Sequence, residues 1–368
     1  MNQAFVLGRL ADLMGWDTIR FNSEFRWLEL MSRMKYDGYQ DFLAGMRFIE
    51  SLADWLQQFA PAEREAAYDF VRNHLVFISP GEMRHLVELF YPESLQPRLI
   101  RRVAESCGIP QYRIWADAKA VELYETLLRK TLFIELSDGG RIDIFRRVNA
   151  GVISNEQIVT APRIHRAKWD DLLKDLRKVT GRGDERFSLV YLVDDFVGSG
   201  MTLLREEEGE WKGKLLRFWE DVIDVGAPEK YLAPDWKLCV HHYLSTHQAD
   251  KAVKERDEAI RKARGDGGWF DSVEFSSGMR LAADFPIKLE NHAAFAPLVE
   301  KYYDDSIEDE HIKKGGTNSR LGFGQCALPL ILEHNTPNNS IALLWAETTG
   351  INGQHPMRPL FRRRKRHA

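Results

Sequence analysis

Apolar residues recur at steps of three and four through Phe42, Met46, Ile49, Ala53 and Leu56, one face of an amphipathic helix. Pro61 suits the first turn of a following helix. Ser79-Pro80-Gly81-Glu82 has capping-box spacing, with Ser79 as N-cap and Glu82 three residues on, ahead of the apolar run in MRHLVELFY. PRLIRRVAESCGIP closes on Gly108 and Pro110, a helix stop. The pattern from Asp41 to about Lys130 is helical and predicts an all-helical N-terminal domain over residues 1–130. A helix-turn-helix reader of nucleic acid shows paired helices too, but packed helices give the same pattern, and Arg101 and Arg102 alone do not distinguish them.

Beyond Lys130 the period changes. TLFIEL (131–136) reads as a strand broken by SDGG (137–140), RIDIFRRVN (141–149) as a short helix, and EQIVTAP (156–162) as a strand and loop. AKWDDLLKDLRKV (167–179) is helical and FSLVYLVDD (187–195) a strand. KGKLLRFWEDVI (212–223) is a helix, WKLCVHHYLS (236–245) a strand, QADKAVKERDEAIRKA (248–263) a helix and FDSVEFSS (270–277) a strand. The acidic insertion REEEGEWKG (205–213) reads as a solvated helix start. Strands separated by helices of this length predict an α/β fold with a parallel sheet over about 131–280, covered on both faces. A C-terminal extension carries this domain to residue 361, and 362–368 form a basic tail.

Composition adds bounds. The 368 residues exceed one small core, and 44% hydrophobic with 29% charged residues is ordinary for a globular protein. The net charge of −4 predicts no nucleic-acid partner by itself. Arg362, Arg363, Arg364, Lys365 and Arg366 hold five positive charges, so the rest sums to −9 (−4 minus 5). Such a tail reads as solvated, with direct nucleic-acid contact as the alternative. Cys107, Cys239 and Cys326 are far apart without C-x-x-C spacing, which argues against a disulfide framework or zinc knuckle and for a reducing compartment. Neither a signal-peptide core nor an apolar run of about 20 residues is present, so the expectation is a soluble cytoplasmic protein without membrane contact.

The candidate chemistry lies in FSLVYLVDDFVGSGMTLL, Phe187 to Leu204. Open parallel sheets bind ligands beyond the carboxyl ends of their strands, where Asp194 and Asp195 fall. The amides of the following small-residue loop can form an anion nest, and Ser199 and Thr202 can donate to the same phosphate. Gly198 and Gly200 permit backbone angles and approaches that a side chain blocks. Carboxylates suit sugar hydroxyls and Mg²⁺. The combination describes a seat for a ribose 5-phosphate. A phosphate-binding G-x-x-x-x-G-K-[ST] is absent upstream, GSGMTL lacks the last glycine of a dinucleotide fingerprint, and no D-x-D follows as in a nucleotidyltransferase. A buried strand with a polar turn is the plain alternative, disfavoured by the cost of burying two unpartnered aspartates.

LVYLVDDFVGSGMT (Leu189 to Thr202) resembles the PRPP-binding signature of type I phosphoribosyltransferases: apolar residues, two acids, then small residues ending in threonine. The resemblance implies that Asp194 and Asp195 bind the ribose hydroxyls directly or through Mg²⁺, and that Val197, Gly198, Ser199, Gly200, Met201 and Thr202 hold the 5-phosphate. SDGGRIDIFRR (137–147), SNEQIV (154–159), LPLILEHNTPNNSIALLW (328–345) and PLF (359–361) further resemble phosphoribosyltransferase-like proteins of bacterial antiviral defence. That resemblance implies an effector binding PRPP or a nucleotide, with a protein or ribonucleoprotein partner from the same operon. A pyrophosphate loop falls on Ser137 to Arg141: Gly139 and Gly140 fit an anion loop and Arg141 can meet pyrophosphate, whereas Asp138 would repel it. A mobile catalytic loop would fall at Thr160 to Lys168, where Arg163, His165, Arg166 and Lys168 are basic or, without function, solvent-facing. Mg-dependent pentosyl transfer or N-glycosidic cleavage is the implied chemistry. A nucleotide-sensing module and a partner-binding protein that keep the fold are the alternatives.

Other clusters have plainer readings. His241 and His242 point to opposite faces of a strand and would not share an ion. KKGGTNSRLGFGQ (313–325) is a connection or a wall of the sugar site. Asn335, Asn338 and Asn339 suit a turn better than a base edge, and YYDDSIEDEH (302–311) reads as a solvated acidic patch.

Overall fold

The computed structural model describes residues 3–316, 319–350 and 355–364. Contacts divide the chain into two compact units, 1–83 with 283–368 and 84–282. These units follow proximity in space, whereas the partition expected at residues 130 and 361 follows texture along the chain.

In the first unit helices span Gln3–Met14, Thr18–Met34, Phe48–Gln57 and Arg64–His74. The expected helix from Phe42 begins only at Phe48. Gly45 turns the chain at φ +83°, Arg47 is extended, and Asp37 Oδ1 accepts the Phe48 N–H at 3.0 Å. Pro61 opens a 3₁₀ turn before the helix at Arg64. The capping box at Ser79 is formed, with the Ser79 N–H donating to Glu82 Oε2 (2.8 Å) and the Glu82 N–H to Ser79 Oγ (3.3 Å). One strand interrupts the expected helical run: Val76–Ile78 pairs in parallel with Leu330–Leu332. Three consecutive β-prone apolar residues favour it, and their partners lie some 250 positions away, beyond the reach of local pattern. Leu360 and Phe361 are buried, and Phe361 stacks against Phe48 and Phe42.

The second unit holds a five-stranded sheet: β1 (Thr131–Glu135), β2 (Ile158–Val159), β3 (Phe187–Val197), β4 (Leu232–Thr246) and β5 (Val273–Leu281). Its order is β2-β1-β3-β4-β5 and every pairing is parallel. Residues on one face, among them Leu132, Ile134, Val190, Leu192, Leu238 and Val240, share a core with the helices Arg166–Thr180, Lys214–Asp224 and His247–Arg264. On the other face Phe90 meets Phe133, Tyr191 and Phe145, and stacks on His241 at 4.0 Å between centroids. Burial on both faces explains why FSLVYLV is continuously apolar rather than alternating. The acidic stretch expected to start a helix is instead an antiparallel hairpin, Arg205–Glu207 with Glu210–Lys212. Glu208 and Gly209 both take positive φ, the requirement of a tight two-residue hairpin turn. No helix among the described residues is long and apolar enough to cross a membrane.

Phe90 is fully buried, so Phe90→Ala should cost about 3–5 kcal/mol. Urea unfolding should show a lower midpoint with an unchanged slope; a changed slope would mean that the compactness of one state had altered.

Candidate functional site

From β1 the chain moves outward to β2 and then crosses back to β3, so successive connections part between β1 and β3. In open α/β sheets this switch point leaves a crevice beyond the carboxyl ends of the two strands. Glu135 and the 137–141 loop arrive there from β1, and Asp194 and Asp195 from β3.

Asp194 is 3% exposed. Its Oδ2 accepts from Lys214 Nζ at 2.5 Å, and its Oδ1 from the Ser137 hydroxyl and, at 3.2 Å, the Asp195 N–H. Burial raises its pKa, Lys214 works against that, and neighbouring Asp195 adds to it. His242 lies opposite Asp194 in the ladder, and burial, with Lys214 assisting, pushes its pKa down to about 3, so the ring is neutral at physiological pH. Asp195, on the next pleat, is half-buried.

The 137–141 loop folds directly onto these acids. The Leu136 N–H donates to the Val193 carbonyl (2.9 Å), and the Gly140 N–H closes a turn on Ser137 O (2.9 Å). A Cβ on Gly139 would lie 2.7 Å from Asp195 Oδ2, and one on Gly140 2.9 Å from Val193 O. A Cβ at Gly140 would collide with main chain, whereas one at Gly139 would displace the Asp195 carboxylate. Arg141 has φ +50° and precedes the helix Ile142–Val148, whose first N–H donates to Glu135 Oε1 at 3.4 Å. Burial raises the Glu135 pKa to about 7, aided by Asp143, Asp194 and Asp138.

The loop after Asp195 is held by its carbonyls. Thr246 Oγ1 donates to Gly198 O at 2.6 Å, and Arg256 donates to Ser199 O and Leu204 O, both at 3.2 Å. The Lys214 N–H donates to Thr202 O at 3.0 Å. The N–H groups of Ser199, Gly200 and Thr202 make no hydrogen bond among the described residues. Gly200, at φ +72°, has room for no side chain: a Cβ would lie 2.6 Å from Val253 Cγ1. Ser199 is buried and its hydroxyl accepts the Met201 N–H at 3.4 Å, whereas Thr202 is exposed.

The structure thus brings together two of the three expected segments, 137–141 and 194–202. In the third, Arg163 pairs with Asp221 at 2.9 Å. His241 and His242 face opposite sides, His241 Nδ1 lies 2.9 Å from Ser276 Oγ, and no metal-ligating cluster of three occurs among the described residues. Asn339 donates to Phe323 O at 2.8 Å, a turn-forming role. Of the basic tail, Arg362 pairs with Glu347, while Lys365 and Arg366 lie outside the described residues. Residues 317 and 318 of the glycine-rich stretch are likewise outside them.

A family model described as PRTase-CE matches residues 52–363. The chain belongs to the PRTase-CE family. This is a phosphoribosyltransferase-like family, and the match agrees with the parallel sheet. No curated protein and no solved structure matches the chain. Sequence reading missed four residues that shape the site in this PRTase-CE member: Glu135, Lys214, Thr246 and Arg256. An acid at the end of the apolar run TLFIEL was a usable signal for the first. The other three act on the loop from a hairpin or a strand away, and nothing local marks them.

The folded state holds a proton on Glu135 that the unfolded chain releases from about pH 4.5, so stability falls as pH rises towards 7. Glu135→Gln removes this loss. Thermal melts should show the variant gaining over wild type between pH 4.5 and 7, with no gain below; a constant difference would contradict the raised pKa. Gly200→Ala should cost roughly 1–3 kcal/mol by strain and collision, read as a lower unfolding midpoint.

Proposed function

We propose that this PRTase-CE protein is a phosphoribosyltransferase-like effector of a bacterial antiviral defence system. It binds PRPP or a nucleotide at the switch point between β1 and β3 and catalyses Mg-dependent pentosyl transfer or N-glycosidic cleavage. The observation that carries the ligand reading is the 198–204 loop. Its carbonyls are tied back by Thr246, Arg256 and Lys214, while the amides of Ser199, Gly200 and Thr202 make no bond within the described residues, beside Asp195 at the strand end. Such amides suit a phosphate. The defence role, a protein or ribonucleoprotein partner from the same operon and a cytoplasmic location rest on the resemblance of the sequence.

In this reading Asp195 orients the ribose hydroxyls and the loop amides hold the 5-phosphate. Asp194 fixes Ser137 and Lys214, and through Ser137 the loop that faces the leaving group. In transfer, the C1–oxygen bond breaks with its electron pair leaving on pyrophosphate, and the acceptor's lone pair forms the new bond to C1. Charge at the developing oxocarbenium-like centre is met by pre-set dipoles rather than covalent chemistry. The half-buried Asp195 and exposed Asp138 are hard oxygen donors of the kind Mg²⁺ takes together with phosphate oxygens. When bound with the ligand, Mg²⁺ would neutralise the departing pyrophosphate.

A second reading, binding without turnover, is favoured by one observation. Both oxygens of Asp194 are already bonded inside the protein, which leaves one fewer carboxylate for substrate than the motif implies.

Calorimetric titration of PRPP with and without Mg²⁺ into wild type and Asp195→Asn tests both. Mg-dependent binding weakened at least tenfold in the variant is expected. No binding by folded wild type overturns the proposal. Binding without pyrophosphate release in the presence of candidate acceptors selects the sensor.

A further inference from the structure

A cavity of about 800 Å³ lies in the second unit, far along the strands from the site above. Its walls are the end of the helix Ala118–Arg129, which leads into the amino end of β1, and the 150–157 turn, which leads into the amino end of β2. It therefore opens at the end of the sheet opposite Asp194 and Asp195.

The cavity is built rather than incidental. Gln157 is buried and its side-chain amide donates to Leu128 O (2.7 Å) and Thr131 O (2.8 Å), pinning the 150–157 turn to the helix. Ser154 and Gln157 form a reciprocal capping box that fixes the turn's shape. On the facing side Tyr91 stands in a π-helical segment, Phe90–Leu95, and its hydroxyl lies 2.8 Å from that of Tyr124. π-Helical turns are rare in ordinary helices and recur at functional sites. Trp115, half-exposed, meets Tyr124 edge-on at 4.9 Å.

One group in this cavity lacks what burial demands. The Arg129 side chain is 11% exposed, and its Nε and Nη1 are buried without a hydrogen-bond partner among the described residues. Its neighbouring carboxylate, Glu156, stands 3.8 Å away and accepts from the Ser154 hydroxyl. Arg129 lines the cavity, with the exposed Glu125 and Glu156 towards solvent, so its charge beside low-dielectric walls attracts an anion entering there. Aromatic walls beside such a cation suit a flat π-system, and the volume lies in the range of small-molecule pockets.

We propose that this cavity is a second ligand site, which takes a planar heteroaromatic ring bearing an anionic group, as in a nucleoside monophosphate. The ring packs against Trp115 and Tyr124, and the anion meets the Arg129 guanidinium. Two ligand sites at opposite ends of one sheet would let a nucleotide be read at one end while ribose-phosphate chemistry proceeds at the other. The second site does not depend on the reading of the first.

The test is calorimetric titration of AMP, GMP, CMP and UMP into the full chain, beside inorganic phosphate and adenosine as separate arms. At least one monophosphate should bind, with affinity lowered tenfold or more in both Arg129→Gln and Trp115→Ala. Trp115 is half-exposed, so its variant guards against a folding artefact at Arg129. No binding of any monophosphate overturns the proposal, as does binding kept in the two cavity variants. Inorganic phosphate binding equally well removes the ring from the proposal and overturns it; adenosine binding equally well removes the anion and does the same.

Discussion

A carboxylate buried at the end of a central strand is the constraint around which the second unit is arranged. Asp194 is almost inaccessible, and an isolated charge there would be costly. Lys214 reaches it from the first residue of the helix Lys214–Asp224, and Ser137 from the loop after β1. Three segments separated by up to 77 positions (214 minus 137) converge on that one side chain. Losing one partner of such a pair typically costs about 3–5 kcal/mol, because the other charge stays buried.

This arrangement separates the two acids of the motif. The two-residue period of β3 turns them to opposite faces, so adjacency in sequence becomes division of labour in space. Asp194 turns inward to the polar network; Asp195 stays half-exposed against the Gly139 backbone. The glycines at 139 and 140 belong to this division. They bring main chain to within contact of Asp195 and Glu135, where a larger residue at 140 would meet the Val193 carbonyl and one at 139 the Asp195 carboxylate.

Much of the parallel sheet was legible in the chain, because strands buried on both faces are continuous apolar runs and the helices between them keep a clear period. Helix His247–Arg264 and strand β3 fall close to where the pattern put them. Local periodicity did not mark Val76–Ile78, whose partner Leu330–Leu332 is remote, or the hairpin at Arg205, whose charges masked its alternation. In the site, the motif residues 194–202 and the glycines of 137–141 were readable because small residues and acids in that order are rare within apolar surroundings. Lys214, Thr246 and Arg256 were not, since their role is to hold carbonyls and a carboxylate that only folding brings near. The aromatic cavity at the amino ends of β1 and β2 was invisible for the same reason: Tyr91, Trp115, Arg129 and Gln157 share no spacing.

Arg256 gives the 198–204 loop an unusual ancestry. The loop is encoded immediately after β3, yet two of its carbonyls are fixed by a residue more than fifty positions later, and a third by Thr246 at the end of β4. The loop's shape is therefore a property of β3, β4 and the helix His247–Arg264 together. Transplanting the motif alone into another sheet would carry the letters without the curvature. The groups that fix these carbonyls lie between Phe187 and Arg264, and recombination break-points inside that stretch would separate the loop from them.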